Sequence, residues 1–109
     1  MASEARTTAT EYAHIVRTPG MLGGEARIEG HRIRVRDVMA ARDRRGLTPE
    51  EIASSVYPSL TLAEVYAALA YYEDHREEID RAFEEEARVV AEFRRDHPEL
   101  VRDFASDKD

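Results

Sequence analysis

Two stretches, Leu47-Thr48-Pro49-Glu50-Glu51-Ile52 and, 13 positions on, Leu60-Thr61-Leu62-Ala63-Glu64-Val65, repeat one pattern. In each, a threonine is followed three residues later by a glutamate. The hydroxyl can accept a hydrogen bond from the glutamate's backbone N–H while the carboxylate reaches back to the threonine's. In each, the leucine before the threonine and the β-branched residue after the glutamate form an apolar staple across the first turn, Leu47 with Ile52 and Leu60 with Val65. Two helices are therefore expected to start at Pro49 and Leu62. Pro58 ends the first and leaves a short turn around Tyr57 to Leu60. Upstream, Asp37 is placed to cap a helix from Val38 to Arg45 that closes on Gly46. Three helices with a tight turn between the last two make a helix-turn-helix arrangement.

Working towards the N-terminus, Arg27-Ile28-Glu29-Gly30-His31-Arg32-Ile33 reads as a hairpin with Gly30-His31 as a type II′ turn. That register sets Ile28 opposite Ile33 and Glu29 opposite Arg32. The outgoing strand alternates, so Ile33 and Val35 share one face and Arg32, Arg34 and Arg36 the other. Ile15-Val16 is a second short strand, followed by a loop rich in glycine and proline, and residues 1–12 read as a mobile arm. Towards the C-terminus, Val65, Leu69, Tyr72, Arg76, Ile79, Phe83, Glu86, Val90 and Phe93 recur in steps of four and three. No Gly or Pro falls between Leu62 and His97, which allows roughly 50 Å of helix at about 1.5 Å per residue, with a break expected near Tyr72-Glu73-Asp74. At this spacing Tyr72 is a core residue and Tyr71 a surface or interface one. Leu100, Val101 and Phe104 suggest one more apolar turn after Pro98. The expected fold is mainly α: a homeodomain-like helix-turn-helix core with a short N-terminal β-ribbon and a long C-terminal helix. Its parts are an arm over 1–12, the core over 13–72 and an acidic helical extension over 73–109.

The composition narrows function more than the fold does. With 109 residues and 42% apolar side chains, the chain can build one modest core. The absence of cysteine excludes disulfides, thiolate metal sites and cysteine nucleophiles, and fits a reducing cytoplasm. No apolar run is long enough to span a membrane, and the first residues lack the apolar segment of a secretion signal. The net charge of −7 divides unevenly: residues 1–50 carry a net +2 and residues 51–109 a net −9. A basic block followed by an acidic tail points to two different partners. Four histidines occur, none at metal-ligand spacing from another, and His75 with Glu78 forms only a single reversed E-x-x-H. No nucleophile elbow or phosphate loop is present. An enzyme, a metal site, a cofactor and a small-molecule substrate are therefore not expected.

Three arginines on one ribbon face suit phosphate contacts or groove insertion, so Arg27, Arg32, Arg34 and Arg36, with Tyr66 on the helix from Leu62, are the candidate DNA contacts. The exposed start of that helix offers Glu64 and Tyr66 but no cation, which counts against a groove reader.

The run from Ile15 to Tyr72 resembles a family of short bacterial proteins catalogued as domain of unknown function 433. The residues that carry the resemblance are Ile15-Val16, Pro19-Gly20, Gly23-Gly24, Arg27-Ile28, Gly30, Arg32-Ile33, Val35, Gly46, Pro49-Glu50-Glu51-Ile52, Leu60-Thr61, Val65 and Ala67-Ala68-Leu69-Ala70-Tyr71-Tyr72. Many members have Lys-Pro where this chain has Glu25-Ala26, and Thr where it has His31. The resemblance implies an antitoxin of a toxin–antitoxin pair, usually dimeric, whose partner is a nuclease with a cluster of acidic active-site residues. On that reading the chain binds a nuclease-like toxin and its operator DNA, as a homodimer in the cytoplasm. The acidic extension lies outside the resemblance. Its apolar stripe on a charged helix has the form that docks into a partner groove, which makes Phe83, Val90, Phe93, Arg94 and Arg95 the candidate toxin contacts, with Phe93 as anchor and an arginine as plug. The alternatives are a stand-alone DNA-binding regulator and a structural dimer or adaptor built on the long helix.

Overall fold

A computed structural model describes residues 7–100. It divides between Ile79 and Asp80 into two compact units. The first opens with three short antiparallel strands, β1 (Thr8–Ala9), β2 (Ile15–Arg17) and β3 (Arg27–Ile28), in the order β1-β2-β3. Ile15 pairs with Ile28 and Thr8 with Arg17. Strand β1 thus occupies part of the stretch expected as an arm; residues 1–6 lie outside the described residues.

The helices begin where the local chemistry puts them. Helix α2 (Pro49–Glu51), which continues as a π-helix over Ile52–Val56, starts at the Thr48–Glu51 box: Glu51 N donates to Thr48 Oγ1 at 3.1 Å, and Thr48 N to Glu51 Oε1 at 2.9 Å. Helix α3 (Leu62–Asp74) starts the same way at Thr61 and Glu64, with bonds of 3.1 and 2.8 Å. The turn between them is closed by Leu60 N donating to Tyr57 O. Helix α1 (Val35–Arg45) ends on Gly46 at φ +67°, the left-handed conformation glycine adopts without a Cβ penalty. With α1 packed on α3, these elements form the helix-turn-helix core of a mainly α protein.

The hairpin and the start of α1 differ from the sequence expectation. Ile28 does face Ile33, its N–H donating to the Ile33 carbonyl, but the turn lies one residue earlier. His31 N donates to Ile28 O at 3.0 Å, and Gly30, at φ +83°, takes the third turn position, where positive φ is required. No strand runs out of this turn. One bridge joins Arg27 to Arg34, Val35 N donates to Ala26 O, and the chain is already helical at Val35. Asp37 sits in the first turn of α1, where its carboxylate accepts from Arg34 N at 2.9 Å. The helix therefore starts three residues earlier than expected.

The long helix does break, at His75. Its φ of −132° interrupts the run, and α4 (Arg76–Asp96) follows. The core is not finished at Tyr72: Ile79 is 2% exposed and packs as deeply as Ile15 or Val65. Tyr71 is as buried as Tyr72, which corrects its expected place on the surface. In the second unit, α4 carries its apolar residues along one face, and Leu100 follows after the helix ends. Val101 and Phe104, the rest of the expected last turn, lie outside the described residues. No helix among the described residues is long and apolar enough to cross a membrane.

Candidate functional site

The arginines expected to form one face are separated. Because α1 begins at Val35, Arg36 belongs to a helix and turns inward, with its side chain 10% exposed and its Nε donating to Glu25 Oε1 at 2.9 Å. Arg34 lies just before the helix and forks onto Asp37, Nε to Oδ2 at 3.0 Å and Nη2 to Oδ1 at 2.9 Å, with Glu25 at 3.8 Å. Glu25, at a position where many relatives are expected to have Lys, thus meets both guanidinium groups. Arg27 is 7% exposed and serves the hairpin: Nη2 donates to Thr18 Oγ1 at 2.8 Å and Nη1 to His31 O at 3.0 Å. Its Nε has no hydrogen-bond partner among the described residues. Arg32 alone of the four is exposed. Two neutralised arginines and one buried one leave little of the ribbon's field for phosphate.

Tyr66 is 48% exposed on α3, and its hydroxyl donates to Glu50 Oε2 at 3.1 Å. That bond, then the Glu50 charge, raises the pKa of the phenol. The exposed start of α3 thus presents Leu62, Tyr66 and acids. The cations lie at the end of α1: Arg44 and Arg45, with Asp37, Ala40, Ala41, Val56 and Tyr57, line a pocket of about 200 Å³. Burial, and after it the Asp37 charge, raises the pKa of Tyr57.

A second cluster, which the sequence reading missed, closes the core where α3 gives way to α4. Tyr71 stacks on His75 with ring centroids 4.0 Å apart and planes at 11°. The His75 Nδ1 lies 2.9 Å from the Tyr71 carbonyl oxygen. Tyr12 meets both rings edge-on, and its hydroxyl donates to Asp74. Arg17 on β2 donates to the Tyr71 hydroxyl and, at 2.5 Å, to Glu78 in the first turn of α4; Tyr71 donates to Glu78 at 3.1 Å. Burial alone lowers the pKa of Arg17, but the bond to Glu78, the Glu78 charge and Tyr71 outweigh it, and the net shift is upward. Tyr71 is also shifted upward, first by burial and then by the Glu78 charge. His75 and Glu78 are the reversed metal motif of the sequence put to another use: His75, at the break, stacks on Tyr71, and Glu78, in the first turn of α4, pairs with Arg17. The cluster is a clamp that fixes the first turn of α4 to the sheet. Among the described residues, no group of three His, Cys, Asp or Glu side chains is arranged to hold a metal.

The expected toxin contacts all fall on α4. Val90 is 41% and Phe93 44% exposed, and Val89 joins them at 49%. Phe83, on the same face, is half-buried. Arg94 and Arg95 are exposed in the last turn, where cations complement the helix dipole. The opposite face is a solvated ladder in which Arg88 bonds Glu92 at 2.7 Å and also pairs with Glu85. The bond to Arg88, then its charge, lowers the pKa of Glu85.

A family model described as "Protein of unknown function (DUF433)" matches residues 15–72. The chain is similar to the crystal structure of a DUF433 member protein from Anabaena variabilis ATCC 29413, with 42% identity and a TM-score of 0.58. That match covers 63% of this chain and 66% of the other, so just under two thirds of the solved relative is spanned. No curated protein matches.

Proposed function

We propose that this chain, which belongs to the DUF433 family, is an antitoxin that binds and silences a nuclease-like toxin, represses its own operon, and works as a cytoplasmic homodimer. On this reading it has no catalytic activity, cofactor or small-molecule substrate of its own. The observation that carries the proposal is the second unit, where an amphipathic helix offers Val90 and Phe93 to solvent above a charged ladder. A helix of this form is recognised by insertion of its apolar face into a groove. Arg94 and Arg95 beside Phe93 suit a nuclease, whose carboxylate cluster attracts a guanidinium that binds two oxygens at once and competes with the metal. The antitoxin role that the sequence resemblance implies supports the same reading.

The test is co-expression with the product of the adjacent reading frame. We expect the neighbour alone to arrest growth, the pair to grow, and the two proteins to co-purify. A harmless neighbour that does not bind would defeat the proposal.

Repression of the operon is a separate arm. With Arg27 buried and Arg34 and Arg36 held by acids, phosphate contact falls mainly to Arg32. Arg32→Ala should weaken operator binding and reduce the log–log salt slope by about one unit. An unchanged slope in a filter-binding or anisotropy titration would remove Arg32 from the interface. Salt-dependent operator binding with no toxin partner would favour a stand-alone regulator.

A further inference from the structure

We propose that in the toxin-free protein the stripe of α4 is covered by the stripe of a second copy, with the two helices antiparallel and crossing between Ala91 and Glu92. Beyond Ile79, which the first unit already buries, the stripe runs Phe83, Glu86, Val90, Phe93, His97 in alternating steps of three and four, which is the spacing of a helix–helix seam. Val90 and Phe93 are the exposed apolar members at its centre, and Phe93 meets His97 on the same face with ring centroids 4.7 Å apart. Two members are polar, Glu86 and His97, and they decide the arrangement.

Parallel helices in register would set Glu86 against Glu86 and His97 against His97. Like carboxylates facing across a seam repel, and such a like-charge juxtaposition disfavours the parallel arrangement. An antiparallel pair sets each position of one kind against the other kind, and its registers differ by whole heptads. Shifted one heptad one way, Glu86 lies on Val90. Shifted the other way, His97 lies on Phe93. The register centred between Ala91 and Glu92 puts Glu86 of each copy against His97 of the other and Val90 against Phe93, each contact made twice by symmetry. Acid then meets imidazole, Val90 meets Phe93, and Phe83 of each copy lies opposite Leu100 of the other. The charged ladder of Glu85, Arg88 and Glu92 stays outside in water. A polar pair at one seam position is also the device that fixes register and orientation in paired helices. The proposal rests on the homodimer of the proposed function and not on its toxin, so the two can fail separately. If both hold, a toxin that takes Phe93 must displace the second copy.

The experiment measures the mass of the purified full-length protein by sedimentation equilibrium, without toxin, for the wild type, Glu86→Lys, His97→Glu and the double variant. Both positions are exposed, and circular dichroism checks that each variant keeps its helix. The wild type should be a dimer. Each single change should weaken dimerisation by about tenfold, the scale of one close coupled pair, and the double variant should recover most of it because the swapped charges again oppose each other. In a parallel seam the double variant would be as weak as the singles or weaker, and the proposed register would be wrong. A dimer indifferent to all the changes and to Phe93→Asp would place the interface elsewhere. A monomer at every concentration would eliminate the second copy altogether.

Discussion

Replacing Tyr71 by alanine is expected to remove about 3–5 kcal/mol of folding stability, the range for deleting a buried aromatic ring, and this is a large share of the roughly 5–15 kcal/mol that holds a domain of this size. The ring is 2% exposed, stacks on His75 and meets Tyr12 edge-on, so its loss opens a cavity under the α3–α4 junction. It also removes the hydroxyl that links Arg17 to Glu78. Tyr71→Phe keeps the ring and should cost only about 1 kcal/mol, the net worth of a typical hydrogen bond. The two variants together separate packing from polar contact in urea denaturation. The upward shift of the Tyr71 pKa adds a pH signature. The folded state holds this phenolic proton more tightly than the unfolded chain does, so the contribution is complete below the ordinary tyrosine pKa of about 10 and is lost as pH rises through the higher folded value. Tyr71→Phe should remove that part of the alkaline loss, leaving whatever Tyr57 and Tyr66 supply. If alanine at 71 costs less than about 1 kcal/mol, the junction is not part of the core.

The α2 and α3 starts were legible in the sequence because the information is local. A threonine and a glutamate three residues apart satisfy each other's N–H groups whatever the rest of the chain does, and both boxes form. The glycine that ends α1 is legible for the same reason. The start of α1 is not. Arg32 to Arg36 alternates like a strand, but a strand needs a partner along its length, and the partner gives out after β3 and the Arg27–Arg34 bridge. With Val35 N held by Ala26 O, the next residues turn into a helix, and the face the alternation would have built is divided among Glu25, Asp37 and solvent. Tyr71 fails as a reading for a related reason. Helical periodicity over Val65 to Tyr72 gives one buried side, but a second side is covered once the chain breaks at His75 and Glu78 is drawn to Arg17. Neither β2 nor the clamp can be seen from the spacing within one helix. The stripe of α4 was legible, since nothing competes with its period, but a stripe by itself does not say what covers it.

The double change Val90→Asp with Phe93→Asp is expected to abolish toxin neutralisation while leaving the first unit folded. Both residues lie in the second unit and are exposed, so charge there costs the fold little. In a partner's groove the cost is large, because an anchor buried at the centre of an interface contributes about 2 kcal/mol or more and a desolvated carboxylate adds a further penalty. Two such anchors correspond to roughly a thousandfold loss of affinity at about 1.4 kcal/mol per tenfold. Arg94→Ala and Arg95→Ala should each have a smaller effect, and a larger one for whichever guanidinium meets the toxin's carboxylates. Growth of cells co-expressing the toxin reports neutralisation, and a pull-down reports binding. The single change Glu86→Lys is the companion variant, because it should weaken self-association while leaving Val90 and Phe93 in place. If it alters self-association without altering growth, the stripe has two separable occupants. If the double aspartate variant still protects cells fully and still binds, α4 is not the neutralising element. The contact would then have to be sought on the first unit, where Leu62 and Tyr66 leave an apolar, acid-bordered patch at the start of α3.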